Sequence, residues 1–271
     1  MAAARKGDGE GSVPGNLKAF ARDVADHPLV EAGARAGYAV NGVLHLLIAW
    51  LALQVAFGRT GANADPTGAM TVVAASPVGL AVLLVIVVAF ALLALWQVAE
   101  GVRVQDTGDR VKAAAKALLY LALAGSAVSF LLGSRKSGEG QATDATSTLM
   151  ELPFGPALVV VVGVGVLGVG GYYIYKGWRE GFRGDLESTP SRVIIMAGKV
   201  GYIAKGIALI TIGIGLVTAG LTLRASESKG LDGALHDIVQ LPSGKLLLSL
   251  IAAGFACFGL YSFSRARRAR T

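Results

Sequence analysis

Cysteine is nearly absent: Cys257 is the one thiol in 271 residues. No intramolecular disulfide can therefore staple the fold. Charge is scarce too, at 16% of residues, against about 25% in soluble domains. With 54% apolar residues and a mean hydropathy of +0.59, the chain has the composition of a membrane protein. The three histidines, His27, His45 and His236, fall in separate stretches. There is no H-E-x-x-H and no Cys/His spacing, so neither a metal site nor metal chemistry is expected. Ser126, Ser129 and Ser249 lie in apolar runs with no acid near them in sequence, so the base and orienting acid of an activated serine are not expected. No cofactor and no enzymatic activity are expected. The string GVGVLG, residues 163–168, spells G-x-G-x-x-G, and Asp185 and Glu187 follow it. It sits in a charge-free run, where the strand–turn–helix of a dinucleotide site cannot form. Its glycines, and the row Gly125, Ser129, Gly133, are expected to let helices touch.

Long apolar runs are what the chain does have. Six cover roughly 38–57, 78–99, 117–133, 156–175, 203–223 and 246–263, each near the ~20 residues of a spanning helix. Residues 1–35 lack the apolar stretch of a cleavable leader. Residues 1–16 are Gly-rich and charged, the composition of a disordered segment. Leu17, Phe20, Ala21 and Val24 then recur at helical spacing, predicting a short amphipathic helix that stops at His27-Pro28. Six spans put both termini on one side.

The net charge of +7 is distributed unevenly. Eighteen cations lie in the N-terminal region, the second and fourth connections and the tail, far more than the few, such as Arg59, Arg135, Lys136, Arg224 and Lys229, in the alternate connections. The positive-inside rule makes both termini cytoplasmic. The tail cluster of Arg265, Arg267, Arg268 and Arg270 is the kind that meets anionic lipid. It lacks the aromatic interleaving of a nucleic-acid surface, so no nucleic acid is expected.

The runs repeat. Pro77, Pro153 and Pro242 each precede an even-numbered run. Twelve residues on stand Ala89, Gly165 and Gly254; seventeen on, Ala94, Gly170 and Gly259. Nineteen on are the aromatics Trp96, Tyr172 and Tyr261, and twenty-three on are Glu100, Lys176 and Arg265. The small residues are expected at close helix crossings. Glu100, Lys176 and Arg265 are expected to form salt bridges between helix ends. The segments 68–73, 144–149 and 233–238 also align, as short helices on the outer surface. Each unit holds two spans, so the units run parallel about an axis along the membrane normal. The fold class is all-α: an integral membrane six-helix bundle of three parallel two-helix repeats with pseudo-threefold character. A cytoplasmic segment (1–34) precedes repeats at 35–101, 102–177 and 178–265, and a basic tail (266–271) follows.

Asn41, Lys116 and Lys205 occupy one repeated position near the start of the odd runs, and His45 and Tyr120 lie one turn deeper in repeats one and two. Two readings stand. The lysines snorkel, stem in hydrocarbon and ammonium at the interface. Or Asn41, His45, Lys116, Tyr120 and Lys205 form a polar cluster inside the bundle, able to hold an anion or a lipid headgroup. Asp232, His236 and Asp237 read as a surface turn.

The entry pattern Gly37, Tyr38, Asn41, Gly42, repeated as Gly201, Tyr202, Lys205, Gly206, together with the P-x-G starts, resembles the bacterial, largely actinobacterial, membrane family called domain of unknown function 1206. The resemblance covers about residues 34–268. Repeat two departs from it, with Lys112 and Ala113 in place of Gly-Tyr. The resemblance implies a six-span inner-membrane protein with no assigned activity. The expected function is a non-enzymatic membrane component that associates with lipid or a membrane protein partner. The alternative is a transporter or channel for a small solute or ion, against which the scarcity of polar residues deeper in the odd runs argues.

Overall fold

The computed structural model describes residues 28–58, 63–77, 79–104, 106–133, 137–186 and 190–268. The amphipathic helix expected before Pro28 lies outside them, as do Arg270 and the side chain of Arg268. Six long helices are apolar enough to span a membrane. They are α1 (Pro28–Ala56), α3 (Gly79–Arg103), α4 (Thr107–Leu131), α6 (Gly155–Trp178), α7 (Arg192–Thr222) and α9 (Gly244–Arg268). Three short helices lie between the spans of each repeat: α2 (Pro66–Ala74), α5 (Gly138–Met150) and α8 (Leu231–Gln240). The three expected short segments are thus helical. The odd spans α1, α4 and α7 start ten or eleven residues before their apolar runs, because their first turns carry polar residues that hide a helix start from a hydropathy reading. Lys205 lies thirteen residues into α7, about 20 Å of helix at 1.5 Å per residue, and not one turn from its start.

The repeats join through one crossing used at three interfaces. The odd helix of each repeat packs on the even helix of the repeat before it, cyclically: α1 on α9, α4 on α3, α7 on α6. At α1/α9 a Cβ added to Gly42 would sit 3.0 Å from the carbonyl oxygen of Gly259. At α6/α7 a Cβ on Gly206 would sit 2.6 Å from that of Gly170. The equivalent residues of α3/α4, Ala94 and Ala117, are both buried. These are the small residues picked out by the repeat, and their contacts are the close packing that substitutes for a hydrophobic driving force within lipid. Gly165 departs from the expectation: no atom lies within 4 Å of a Cβ built there. Outward, every span carries exposed apolar side chains such as Val43, Leu84, Leu118, Val161, Ile214 and Leu250.

The P-x-G starts have a steric cause. Gly79 abuts the end of α2, where a Cβ would lie 2.7 Å from the Ala74 carbonyl oxygen. Gly155 and Gly244 abut α5 and α8 in the same way. The residue before each of these two glycines, Phe154 and Ser243, turns the chain at positive φ, 61° and 63°.

The short helices interlock at the end of the bundle away from the termini. Asp65 caps α2, accepting from Gly68 N at 2.7 Å and Thr67 Oγ1 at 2.6 Å. It also accepts from Gly138 N, the start of α5, at 3.2 Å. Asp232 in α8 accepts from Ala64 N at 2.6 Å. Asp232 is therefore a buried tie between repeats and not a surface turn, while His236 Nδ1 bonds back to its carbonyl at 3.0 Å. Burial pushes the Asp65 carboxyl above its ordinary value, against the pull of its Thr67 and Gly68 donors. Asp65→Ala orphans those donors and is expected to cost about 2 kcal/mol, read as a lowered unfolding midpoint in detergent. Asp65→Asn, which keeps an acceptor, should cost less.

Candidate functional site

The termini-bearing end of the bundle holds charges that no composition argument located. Arg265, in the last turns of α9, does not extend into the tail surface. Its guanidinium lies 4.1 Å from the Tyr38 ring centroid and Nη2 donates to the Tyr38 hydroxyl at 3.0 Å. Of the tail cluster expected to meet lipid, Arg265 thus turns inward, while Arg267 is exposed. Lys176, at the end of α6, pairs with Asp185 at 2.7 Å and lies 5.2 Å from the Tyr202 ring centroid. Glu100 pairs with its own helix neighbour Arg103 at 3.7 Å. The expected bridges among Glu100, Lys176 and Arg265 do not form.

The pseudo-threefold explains why. Each cation at the end of an even helix meets the tyrosine of the next repeat's odd helix: Arg265 meets Tyr38, and Lys176 meets Tyr202. At the third corner the cation is replaced by Glu100 and the tyrosine by Ala113. Ala113 packs on Gly101, whose added Cβ would lie 3.2 Å from it. Without an aromatic face or a cation there, Glu100 satisfies itself locally.

Asp185 is the acid of the site. It sits in a 3-10 turn (Gly181–Asp185) after α6. Phe182 of that turn is fully buried, stacked on Tyr202 at 5.5 Å. Gly198 makes the seat: a Cβ there would meet the Phe182 ring at 2.5 Å. The Asp185 Oδ2 accepts from Lys176 and from Tyr202 OH at 3.4 Å, and the Tyr261 hydroxyl, 3.5 Å away, donates to the Phe182 carbonyl of the same turn at 3.1 Å. Burial pushes the carboxyl up, but Arg265 and Lys176 outweigh it and hold it below its ordinary value.

The expected cluster of Asn41, His45, Lys116, Tyr120 and Lys205 is split by this centre. On one side, Asn41 Nδ2 donates to Ser262 Oγ at 3.4 Å. His45 donates from Nδ1 to the Asn41 carbonyl at 2.8 Å, since a carbonyl can only accept, and its ring lies 4.7 Å from Phe258. Lys205 points its ammonium at the same ring, 4.1 Å from the centroid. It therefore turns inward and does not snorkel. On the other side, Tyr120 stacks on Phe90 at 5.9 Å. Lys116 lies within electrostatic reach of Arg265, Lys176 and Asp185. Neither Lys116 nor Lys205 has a hydrogen bond or ion pair among the described residues.

Interior charge does not balance. Lys116, Lys176 and Arg265 share one carboxylate, Asp185, and Lys205 adds a fourth cation in the field of Arg265. Among the described residues the buried Nε–H of Arg265 and the indole N–H of Trp96 are donors without acceptors. Asp185, Tyr38, Tyr202 and Tyr261 were not among the sequence candidates for this cluster. The tyrosines had a signal, the repeated aromatic position for Tyr261 and the Gly-Tyr entry pattern for Tyr38 and Tyr202; Asp185 had none beyond its chance spacing from a glycine motif.

Among the described residues no group of His, Cys, Asp and Glu could hold a metal ion. The family model described as Domain of Unknown Function (DUF1206) matches three times, over residues 36–104, 111–180 and 200–269. An uncharacterised protein of Bacillus subtilis (strain 168), YxxB, is 26% identical over 251 residues, covering 88% of this chain and 90% of that one. No solved structure matches the chain.

Proposed function

The chain belongs to the DUF1206 family and has six helices apolar enough to span a membrane, and on that premise we propose that it is a membrane-embedded binding protein for a phosphate-type anion. One observation carries this reading: Lys116, Lys176 and Arg265 share the single carboxylate of Asp185, and Lys205 adds a fourth cation that has no ion pair among the described residues. Two unit charges 4 Å apart interact by about 4 kcal/mol at an effective dielectric of ~20. Uncompensated charge within a membrane protein is costly and marks a ligand or ion partner. Donors without acceptors and cations without acids call for the same species, an anion with several oxygens. The bias of Lys and Arg toward the termini-bearing end supports a cytoplasmic placement of this site in a bacterial inner membrane.

A conduit is disfavoured. Beyond the cluster the core is filled by Ile48, Leu51, Leu83, Ile86, Leu248, Ile251 and Phe255, all buried. No polar path continues through these residues.

The test is a phosphate titration of the purified protein in uncharged detergent, at constant ionic strength set with chloride. Binding to the folded state raises the unfolding midpoint, by about 2.7 kcal/mol at a hundredfold excess over Kd. Lys116→Ala is expected to move the titration at least tenfold toward higher phosphate, without loss of stability when phosphate is absent. A purely structural lysine would show the loss. A wild-type protein that phosphate protects no better than chloride would end the proposal.

A further inference from the structure

Neighbouring spans pack around the bundle in the order α4, α3, α1, α9, α7, α6, but the ring does not close. In repeats one and three the two spans of a unit meet; in repeat two, α4 and α6 do not pack on each other. Only 22% of the most apolar stretch of α4 is buried and 17% of that of α6, against 33–50% in the other spans. The gap has defined ends. At the termini-bearing end, Lys112 of α4 reaches across to Tyr172 of α6, 5.6 Å from its ring centroid. At the far end, Ser126 of α4 donates to Gln141 of α5 at 2.9 Å, so α5 bounds the gap there.

The two walls between these ends differ in chemistry. Lys112 and Lys116 are one turn apart and share a face, and that face is the one that reaches α6. On α6, Gly165 and Gly168 lie on the face of Tyr172, at i−7 and i−4. No atom lies within 4 Å of a Cβ built at either, nor at Gly125 on α4. The glycines of the closed interfaces all meet backbone or side chain; these do not. The groove leads to orphaned donors. Tyr120, one turn beyond Lys116, is 8% exposed. Among the described residues its hydroxyl makes no hydrogen bond, and it lies in the field of Tyr38, Arg265, Tyr173 and Asp185. The unpartnered indole N–H of Trp96 and Nε–H of Arg265 flank Tyr38.

We infer that the gap between α4 and α6 is a lateral entry for an anionic phospholipid, whose phosphate lies on Lys116, Lys176 and Arg265 while an acyl chain lies along the glycine face of α6. The inference rests on the anion reading above and names the anion's source. Charge complementarity selects the occupant: a groove that opens to lipid and ends on uncompensated cations suits a molecule with a long apolar tail and an anionic head. A zwitterionic lipid brings its own cation into a site that already has an excess of them. A second copy of this chain would set its own Lys112 and Lys116 against these.

The test reads retained lipid. The full-length protein is reconstituted in vesicles of phosphatidylcholine and phosphatidylglycerol at 3:1, re-extracted, washed in detergent and analysed for bound lipid. Wild type is expected to retain phosphatidylglycerol at least tenfold over its share in the vesicle. Gly165→Leu and Gly168→Leu fill the groove where nothing opposes a side chain. Each should keep the wild-type unfolding midpoint and its protection by free phosphate, yet lose retention at least fivefold. No enrichment in wild type, or full retention in both glycine variants, overturns the lateral entry. If free phosphate still protects in that case, the anion site stands without its lipid; if it does not, both readings fall. A glycine variant that turns a dimer into a monomer also overturns the inference, because the gap would then be covered by a second copy.

Discussion

Asp185→Ala is expected to destabilise the protein by about 3–5 kcal/mol, the usual cost of removing one partner from a buried, hydrogen-bonded ion pair. The carboxylate lies 2.7 Å from Lys176 and within reach of the Tyr202 and Tyr261 hydroxyls. Deleting it leaves Lys176, Lys116 and Arg265 with no acid among them. It also releases the turn that seats Phe182 between α6 and α7. Two measurements check the origin of the loss. Asp185→Ala combined with Lys176→Met should recover part of it, because the double variant no longer buries that unpaired ammonium. And added phosphate should rescue Asp185→Ala more than wild type, since an anion then supplies the missing charge. The pH dependence has a definite sign. The Asp185 carboxyl is held below its ordinary value, so its contribution is fully present above the unfolded-state value of about 3.9. It is lost only as pH falls through the lower folded value. An Asp185→Ala deficit that grows between pH 6 and pH 8 would contradict this assignment.

Gly206→Leu is the second large effect. A Cβ alone would sit 2.6 Å from the Gly170 carbonyl oxygen and 3.0 Å from the Ile174 backbone nitrogen. Backbone cannot step aside as a flexible side chain can, so α6 and α7 must separate. The expected loss is about 3 kcal/mol or more, at or beyond the upper range for overpacking, with a fall in the yield of folded protein from the membrane. Gly171→Leu, on the same helix pair but with nothing within 4 Å of the added carbon, should be close to neutral. Equal effects from the two substitutions would mean that the crossing is not what holds α6 to α7.

The helix count, the repeat and the three crossings were legible because each depends on local composition: apolar length, a proline start, a small residue at a fixed offset. What could not be read is which face of a helix meets what. Gly163 and Gly165 stand two residues apart in one motif, yet an added carbon on Gly163 would meet Val217 at 2.8 Å and one on Gly165 would meet nothing within 4 Å. Sequence spacing separates their faces but does not say which face has a neighbour. The polar cluster was half legible for the same reason. Lys116 and Lys205 were picked out by repeat position, and both turn inward. Their grouping failed because Phe258 and Arg265, from α9, stand between them. Asp185 is set by a turn in a connection, where no periodicity constrains a side chain. Lys205 was placed too shallow because the first turns of α7, beginning at Arg192, carry the charges that usually mark a helix end.

The corner where Glu100 and Ala113 replace a cation and a tyrosine bears on how such a bundle diversifies. An assembly of three identical two-helix subunits would have three identical corners, and any substitution would strike all of them at once. Joining the units in one polypeptide removes that coupling. Two corners can then retain the tyrosine–cation pair, while the third closes by packing Ala113 on Gly101 instead. Covalent linkage thus lets the joints around the ring be specified one at a time: the α3–α4 crossing stays closed without the pair, and the α4–α6 side can stay open while the three crossings hold.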